Sequence, residues 1–273
     1  MIPVVVLNLA RSTSRRAQMA ARLDGLGIGY RFFDATDGAS LTPDELNRLA
    51  PPSALLFDQP LMAAEIGCAA THLAVIREIA AGSSDFVCTM EDDAILSDDV
   101  VQFLDRQTLQ SLPPFDVLRL VSDPARWKFP AWEIAQSHGR GIYAMSRPGW
   151  GLQGQVFSRE GARKIASQVG VIRAPIDFVL FHDSHVHGLR VLEVRPGVVE
   201  HDTKLINREL MARSVIGDRH EIDRRALSGL GRWRRKYWRL RRKLMAARAF
   251  AQVWGFKGML RIVAGWRPGT YFR

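Results

Sequence analysis

Short apolar runs alternate with amphipathic segments along most of the chain. The β-branched run at residues 2–7 predicts a strand that is buried on both faces. Behind it, Met19 and Leu23 lie on one side of a predicted helix that ends at Gly27. The segment at 62–81 repeats apolar groups at helical spacing and is the best-defined helix in the sequence.

Further strands and helices are predicted in the same alternating order. Helices are expected after Thr42, which begins a capping box, after Ser158, and over residues 176–181. Strands that alternate with helices are typical of an α/β layer structure with a mostly parallel sheet. The remaining strands are expected at 30–33, 86–90, 116–121, 141–145, 153–157 and 190–194.

Positive charge is concentrated at the carboxyl end of the chain. The sequence has 273 residues and a formal net charge of +10, yet fifteen of its 38 Lys and Arg lie at 224–273, a stretch without Asp or Glu. The other 23 basic residues are outnumbered by the 28 acidic residues. We therefore predict an acidic main domain at 1–223 and a basic tail at 224–273.

Aromatic residues are interleaved with arginines in this tail, and Trp233, Tyr237 and Leu240 share one side of a predicted helix. A basic amphipathic helix of this type binds the interface of an anionic membrane. Nucleic-acid binding uses the same groups, but the acidic main domain offers no extended basic groove. A helix that binds a partner protein is the third alternative. We expect an anionic membrane surface as the partner rather than a nucleic acid.

The lengths of the apolar segments and the spacing of the two cysteines predict the cellular compartment. The first apolar run is too short for a signal peptide, and no segment reaches the roughly 18 apolar residues that cross a bilayer. We therefore expect a cytoplasmic protein that is peripheral at the inner face of the cell membrane. Cys68 and Cys88 have no CxxC spacing, do not make a typical zinc site, and are expected to be reduced core thiols.

Three consecutive carboxylates, Glu91-Asp92-Asp93, follow the predicted strand at 86–90. In an open α/β sheet, ligands bind beyond the carboxyl ends of the strands, where these acids are expected. Hard oxygen ligands select Mg²⁺ or Mn²⁺, and water and substrate phosphates complete the coordination. The pattern favours a nucleotide diphosphate, and the alternative is a solvated turn or a helix N-terminus.

Four segments occur in a specific order: VVVLNLARSTSRRAQMAARLDGLGIGYRFFDATDG, AAEIGCAATHLAVIREIA, EDDAIL and PIDFVLF. Their order and spacing resemble glycosyltransferase family 25, the bacterial lipooligosaccharide galactosyltransferases and their relatives. The resemblance covers roughly residues 3–205. It implies a GT-A-like, Rossmann-type fold, a UDP-sugar donor, a divalent metal, and transfer with inversion at the anomeric carbon. It also implies galactose as the sugar and a lipid-linked or oligosaccharide acceptor.

The resemblance assigns roles to individual residues of this sequence. Asp93 is expected to bind the metal, and Glu91 and Asp92 are expected to contact the nucleotide. Further nucleotide contacts are expected from the polar residues that follow the first strand, which are Asn8, Arg11, Arg15 and Arg16. For each arginine the alternative is ordinary surface charge.

Two residues after the last predicted strand are weaker candidates. His201 can complete the metal site as a neutral imidazole, and Lys204 can lie beside the diphosphate. The alternative for His201 is a structural histidine.

An inverting transfer needs a base that deprotonates the acceptor hydroxyl. Asp177 is the candidate, because it resembles the acidic position late in the family's catalytic domain and lies among apolar residues. Asp183 and Asp92 are its rivals, and the alternative role is a helix N-cap. Glu65 and His72 share a helix stripe with Cys68 and are expected to be structural polar groups behind the site.

Three hypotheses about function follow. The first is a metal-dependent inverting glycosyltransferase. The second is a non-catalytic module that binds a nucleotide or sugar and carries a membrane- or nucleic-acid-binding tail. The third is a metal-dependent phosphotransferase or nucleotidyltransferase, although the sequence has no P-loop to favour it.

Overall fold

The computed structural model describes residues 1–55, 60–122, 131–145, 151–182, 188–201, 251 and 253–255. The strands in these ranges are β1 (Val4–Asn8), β2 (Tyr30–Asp34), β3 (Phe86–Glu91), β4 (Ala94–Leu96), β5 (Val117–Arg119), β6 (Ala131–Ser137), β7 (Arg140–Met145), β8 (Gly154–Ser158), β9 (Val191–Arg195) and β10 (Val199–His201). The α-helices are α1 (Thr13–Gly25), α2 (Pro43–Leu49), α3 (Ala63–Ala81), α4 (Arg106–Ser111) and α5 (Arg159–Gln168). Short 3₁₀ helices span Gly38–Ser40, Pro52–Ala54 and Asp98–Leu104, and a π-helical turn spans Phe178–His182.

In the described part of the chain, eight strands form a central sheet. Their order in the sheet is β2-β1-β3-β8-β5-β9-β7-β6. β1 is parallel to β2 and β3, and β5 is parallel to β9. β8 is antiparallel to its neighbours β3 and β5, and β7 is antiparallel to β9 and β6. Six strands therefore run in one direction, with β7 and β8 reversed. The predicted α/β fold with a mostly parallel sheet is confirmed.

The first strand shows why the sheet has a hydrophobic layer on each face. All five residues of β1 are buried, and successive side chains of a strand point to opposite faces. Val5 and Leu7 pack into the layer that contains apolar side chains of α3 and α5. Val4 and Val6 pack with Met19 of α1 in the opposite layer. The apolar run at the start of the sequence is therefore a central strand, as predicted.

The longest helix, α3, packs its first half closely against the chain that follows β2. A Cβ on Gly67 would lie 2.6 Å from both the Thr36 carbonyl oxygen and the Gly38 nitrogen, so only a glycine allows this contact. One turn later, the Thr71 hydroxyl accepts a hydrogen bond from the Thr36 nitrogen at 2.9 Å. These contacts hold the amino-terminal half of α3 near the carboxyl end of β2.

The edge hairpin of β6 and β7 contains a strand that the sequence pattern did not predict. The strands are joined by His138 and Gly139, whose φ angles of 48° and 73° are the positive values that a two-residue hairpin turn needs. The residues of β6 are half buried or exposed, so the strand lacks the continuous apolar run by which β1 is recognised. β4 and β10 were also not predicted. They have three residues each, too few to show a period.

Nearly all of the predicted basic tail, and its boundary at 223 and 224, lie outside the described residues. Within the part that is described, the Trp254 ring packs edge-on against Trp132 of β6, with ring centroids 5.7 Å apart. No helix among the described residues combines the length and apolar character needed to cross a membrane.

Candidate active site

Three parallel strands end together at one edge of the sheet and bring polar residues with them. In the register of the ladder, Asn8 at the end of β1 lies beside Asp34 at the end of β2, and Leu7 lies beside Glu91 at the end of β3. The acidic triplet therefore starts at the carboxyl edge of the sheet, as the sequence predicts.

Asp92, in the middle of the triplet, is tied to the end of β1 and to α1. The residue is 8% exposed. One carboxylate oxygen accepts a hydrogen bond from Asn8 Nδ2 at 2.6 Å, and the other accepts one from the Arg15 guanidinium at 3.0 Å. The buried negative charge of Asp92 is therefore compensated by a cation from α1. Three of the predicted nucleotide-binding residues, Asn8, Arg15 and Asp92, form one contact group.

Glu91 turns towards the opposite side, where α3 lies. Its Oε1 is 3.1 Å from Nε2 of His72, and the imidazole is 2% exposed. Cys68 lies one helical turn before His72 and completes the group. Its Sγ, a His72 ring nitrogen and a Glu91 oxygen all lie within 4.8 Å of one another.

Several carboxylates lie near enough to Cys68 to act electrostatically on its thiol. Although the side chain is solvent-accessible, the protein around it desolvates the thiol and raises its pKa well above the usual value, and the next contributions come from nearby negative charges. In order of size these charges belong to Glu91, Asp177, Asp93 and Glu65. Asp177 is therefore near the acidic triplet although it lies more than eighty residues later in the chain.

Asp177 is held in place by the backbone around it. One carboxylate oxygen accepts a hydrogen bond from the Phe178 nitrogen at 2.8 Å, and the other accepts one from the Gly151 nitrogen at 3.3 Å. Residues 176–182 are helical, as predicted. Asp177 thus contacts the start of its own helix and also belongs to the group of acids around Cys68.

A buried ion-pair network extends into the sheet from Gly151, whose carbonyl oxygen accepts a hydrogen bond from the Arg119 guanidinium at 3.2 Å. Arg119 on β5 is paired in register with Glu193 on β9, and these residues are 1% and 2% exposed. Glu193 also accepts a hydrogen bond from Arg195 Nε at 2.8 Å. The Arg119 guanidinium lies over the Phe181 ring, 4.1 Å from its centroid. The segment that holds Asp177 is therefore linked to the core of the sheet.

The other predicted residues are placed separately. Arg11 forms an ion pair with Asp37 at 2.6 Å, and Arg16 forms one with Asp34 at 2.9 Å. The backbone of His201 in β10 lies opposite Ala94, the residue after Asp93. Of the remaining predicted residues, Lys204 and the rival base Asp183 lie outside the described ranges.

One expectation about the cysteines is corrected. Both thiols are free, and Cys88 is buried as expected. Cys68 is exposed rather than part of the core, because the side of α3 that carries it faces the carboxyl edge of the sheet instead of an apolar layer. The spacing of Cys68 and His72, four residues apart on a helix, is the signal that both face the same place. Their contact with Glu91, by contrast, has no signature in the sequence.

Glu65 has the structural role expected of it. Its Oε2 accepts a hydrogen bond from the Met62 nitrogen at 2.8 Å, which satisfies a backbone donor at the start of α3.

Comparison with known proteins identifies relatives over most of the chain. Residues 1–180 match the family model described as glycosyltransferase family 25, LPS biosynthesis protein. The lacto-N-neotetraose biosynthesis glycosyltransferase LgtE of Neisseria meningitidis is 26% identical over 235 residues, which cover 81% of this chain and 82% of the relative. LgtB of Neisseria gonorrhoeae, described by the same words, is 24% identical over 270 residues, or 88% of this chain and 96% of the relative. A putative glycosyltransferase of Haemophilus influenzae is 22% identical over 205 residues, which cover 72% of this chain and 69% of the relative.

Proposed function

The chain belongs to glycosyltransferase family 25, and we propose that it transfers galactose from a UDP-sugar to a lipooligosaccharide or related glycan. The proposed reaction depends on a divalent metal and inverts the anomeric carbon. The observation that carries the proposal is the position of Glu91-Asp92-Asp93 at the carboxyl edge of the sheet, the edge where an α/β sheet binds ligands. Asp177 lies close enough to act electrostatically on the same thiol as Glu91 and Asp93.

The donor set at this edge fits a hard divalent cation. Carboxylate oxygens are the ligands that Mg²⁺ and Mn²⁺ prefer, and these ions are commonly bound through one or two carboxylates plus substrate phosphates. We assign Asp93 as the protein ligand, which is the role that the resemblance to the family implies for it; Asp92 holds Asn8 and Arg15, and Glu91 holds His72. His201 is the proposed second ligand, and its backbone position opposite Ala94 supports this. When bound, the ion would neutralise negative charge on the diphosphate of the leaving UDP.

The nucleotide is assigned to the side of the triplet that faces β1 and α1. Asn8 and Arg15 hold Asp92 there, and Arg11 and Arg16 lie on the same edge in their own ion pairs. A guanidinium that already shares a carboxylate can exchange it for a phosphate of similar geometry. Asp92 thus positions Arg15 until the donor binds. Lys204 remains a proposed contact of the diphosphate.

Asp177 is proposed as the base that takes the proton from the acceptor hydroxyl. Two backbone N–H groups orient its carboxylate, and further lone pairs of the two oxygens can accept the proton. Gly151, which orients one oxygen, is itself held by Arg119. This support limits the movement of the carboxylate, and a fixed base is what a transfer reaction needs.

The acceptor assignment rests on the relatives. The two Neisseria relatives are named for lacto-N-neotetraose biosynthesis, an oligosaccharide product, which supports a glycan acceptor for this chain. We further propose that the basic tail binds the inner face of the cell membrane and so brings the site to a lipid-linked glycan.

The experiment is a screen of UDP-galactose, UDP-glucose and their N-acetyl forms, in which UDP release by the full chain is measured with and without Mn²⁺. We expect release from UDP-galactose that needs the metal and that falls at least about 100-fold in Asp93→Asn. Asp98→Asn is the matched control, because it makes the same change at an exposed residue five positions away. We expect it to retain the activity.

Two results would overturn the proposal. Metal-independent release would remove the divalent ion from the mechanism. Binding of UDP-sugar without release or transfer to any glycan would favour the alternative of a non-catalytic binding module. Liposomes of phosphatidylcholine with and without phosphatidylserine test the tail separately, since anionic vesicles should sediment the full chain more strongly at low salt.

A further inference from the structure

Cys68, His72 and Glu91 bring three different metal-ligating atoms together. Cys68 and His72 are one turn apart on the same side of α3, and Glu91 comes from the end of β3. Their sulfur, ring nitrogen and carboxylate oxygen lie within 4.8 Å of one another. The helix contributes two ligands at a fixed spacing and the strand contributes the third, so the backbone of the group is rigid.

The distances suit a tetrahedral ion. With Zn–S near 2.3 Å and Zn–N or Zn–O near 2.0–2.2 Å, tetrahedral ligand atoms lie roughly 3.4–3.6 Å apart. His72 Nε2 and Glu91 Oε1 are 3.1 Å apart, which is within a few tenths of an ångström of this separation. The Cys68 sulfur is on an exposed side chain, which can rotate to close the rest of the distance.

Burial and charge favour the same interpretation. His72 is buried, Glu91 is half buried and Cys68 is exposed, so the group has a buried base and an open side through which an ion can enter. The negative charges of Asp93, Asp177 and Glu65 act at the Cys68 sulfur and would attract a cation.

We propose that Cys68, His72 and Glu91 form a second metal site, which takes a borderline-soft divalent ion of the Zn²⁺ class and leaves its fourth position to water. On binding, the thiol of Cys68 releases its proton to solvent and the thiolate sulfur coordinates the ion. The hydrogen bond between His72 and Glu91 is replaced by two bonds to the metal, and the imidazole binds as the neutral tautomer that carries its proton on Nδ1, so that Nε2 is the ligand atom. The ligands distinguish this site from the proposed hard-ion site at Asp93, because thiolate and imidazole favour Zn²⁺ over Mg²⁺.

Such an ion would cross-link α3 to the start of the acidic triplet. It would hold Glu91 at the point where β3 leads into Asp92 and Asp93, and so fix the backbone of the carboxylates that face the donor. The site does not depend on the proposed sugar transfer, since its ligands and their spacing are independent of the donor.

The test uses the full chain after treatment with a chelator, and Cd²⁺ is the probe, since a thiolate bound to Cd²⁺ gives a charge-transfer band in the ultraviolet. We expect the band to saturate at one equivalent of Cd²⁺ and to persist in a large excess of Mg²⁺. Cys68→Ser should abolish the band and Cys88→Ser, at a buried thiol of the core, should keep it. His72→Ala should weaken Cd²⁺ binding at least about tenfold.

A second measurement, on the chain without substitutions, tests the site even if a variant does not fold. Alkylation of Cys68, followed by mass spectrometry, should slow at least about tenfold when one equivalent of Zn²⁺ is added. The proposal is overturned if no band forms at one equivalent, if the band survives in Cys68→Ser, or if Zn²⁺ leaves the alkylation rate unchanged. Asp93→Asn should keep the Cd²⁺ band while it loses metal-dependent UDP release, so failure of the proposed function and failure of this site are distinguishable.

Discussion

Charged side chains form two groups on the central sheet. The groups differ in whether their charges have the same sign and in how exposed they are. At the carboxyl edge, the negative charges of Glu91, Asp93 and Asp177 all act on the thiol of Cys68, which is exposed. Within the sheet, Arg119 and Glu193 are almost completely buried and are paired with each other. The first group contains like charges around a solvent-accessible thiol, and the second contains opposite charges in contact.

The difference follows from the cost of burying charge. A charge without a partner in the interior costs several kcal/mol, so Glu193 is tolerated there because Arg119 and Arg195 both contact it. At the edge of the sheet, solvent lowers the cost of placing acids together. Like charges gathered at an open edge do not stabilise the fold, and they would attract a cation. We therefore expect substitutions in the first group to change activity and substitutions in the second to change stability.

The largest expected effect is at Asp177, in the group of acids at the carboxyl edge. Asp177→Asn should slow sugar transfer about 10²–10⁴-fold, because an amide cannot accept the proton of the acceptor hydroxyl. The free energy of unfolding should change by less than about 1 kcal/mol, since the asparagine oxygen can still accept the hydrogen bond of the Phe178 nitrogen. The transfer rate, the affinity for the donor and the free energy of unfolding in urea are each measured on this variant. A folded variant that binds the donor and transfers at the normal rate would exclude Asp177 as the base.

The next effect concerns the buried network. Glu193→Gln removes the negative charge that faces the buried guanidinium of Arg119 and the partly buried one of Arg195, and we expect it to lower the free energy of unfolding by about 3–5 kcal/mol. Urea denaturation followed by circular dichroism measures this loss. A loss of less than about 1 kcal/mol would show that this buried network stabilises the fold no more than an exposed ion pair does. Burial would then not distinguish the two groups of charges.

A half-buried pair should give an intermediate result that depends on pH. The guanidinium of Arg140, which donates to the carboxylate of Asp99, holds the pKa of Asp99 below its usual value of 3.8. Because the folded-state pKa is the lower one, the stabilisation is present above the unfolded pKa and is lost as the pH falls through the folded pKa. Asp99→Asn should therefore cost about 1 kcal/mol or less near neutral pH, and the cost should shrink as the pH falls below 3.8 and through the lower pKa of the folded state. Unfolding measured from pH 7 to pH 2 would reveal a constant difference if this reasoning is wrong.

The smallest effect is expected at the surface. Glu78 and Arg31 form an ion pair in which both side chains are about half exposed. Glu78→Gln should change the free energy of unfolding by less than about 0.5 kcal/mol, because solvent screens the pair. The same urea titration measures it and makes this variant the matched control for Glu193→Gln. A loss above about 1.5 kcal/mol would show that burial does not rank these pairs.

Much of the fold and part of the site follow from local patterns in the sequence. The run at 2–7 predicts a strand buried on both faces, and β1 is such a strand because its side chains enter both apolar layers. The acidic triplet follows a predicted strand and lies at the carboxyl edge, where parallel strands end together. The sequence pattern misses β6, because a half-buried edge strand carries little of the apolar signal that predicts strands.

The sequence by itself determined the order of the strands and helices that it predicted, the two apolar faces of the first strand and the position of the acids after β3. The tertiary structure decided which charged groups meet. Asp92 binds Asn8 and Arg15, Glu91 turns to His72, and Arg119 reaches Glu193, and each contact joins residues from different elements. Local pattern depends on neighbours within a few residues, whereas these contacts depend on strand register and on how the helices pack. The physical reason is that a charged side chain takes the partner that packing brings within reach, and this distance in space has no fixed relation to distance along the chain.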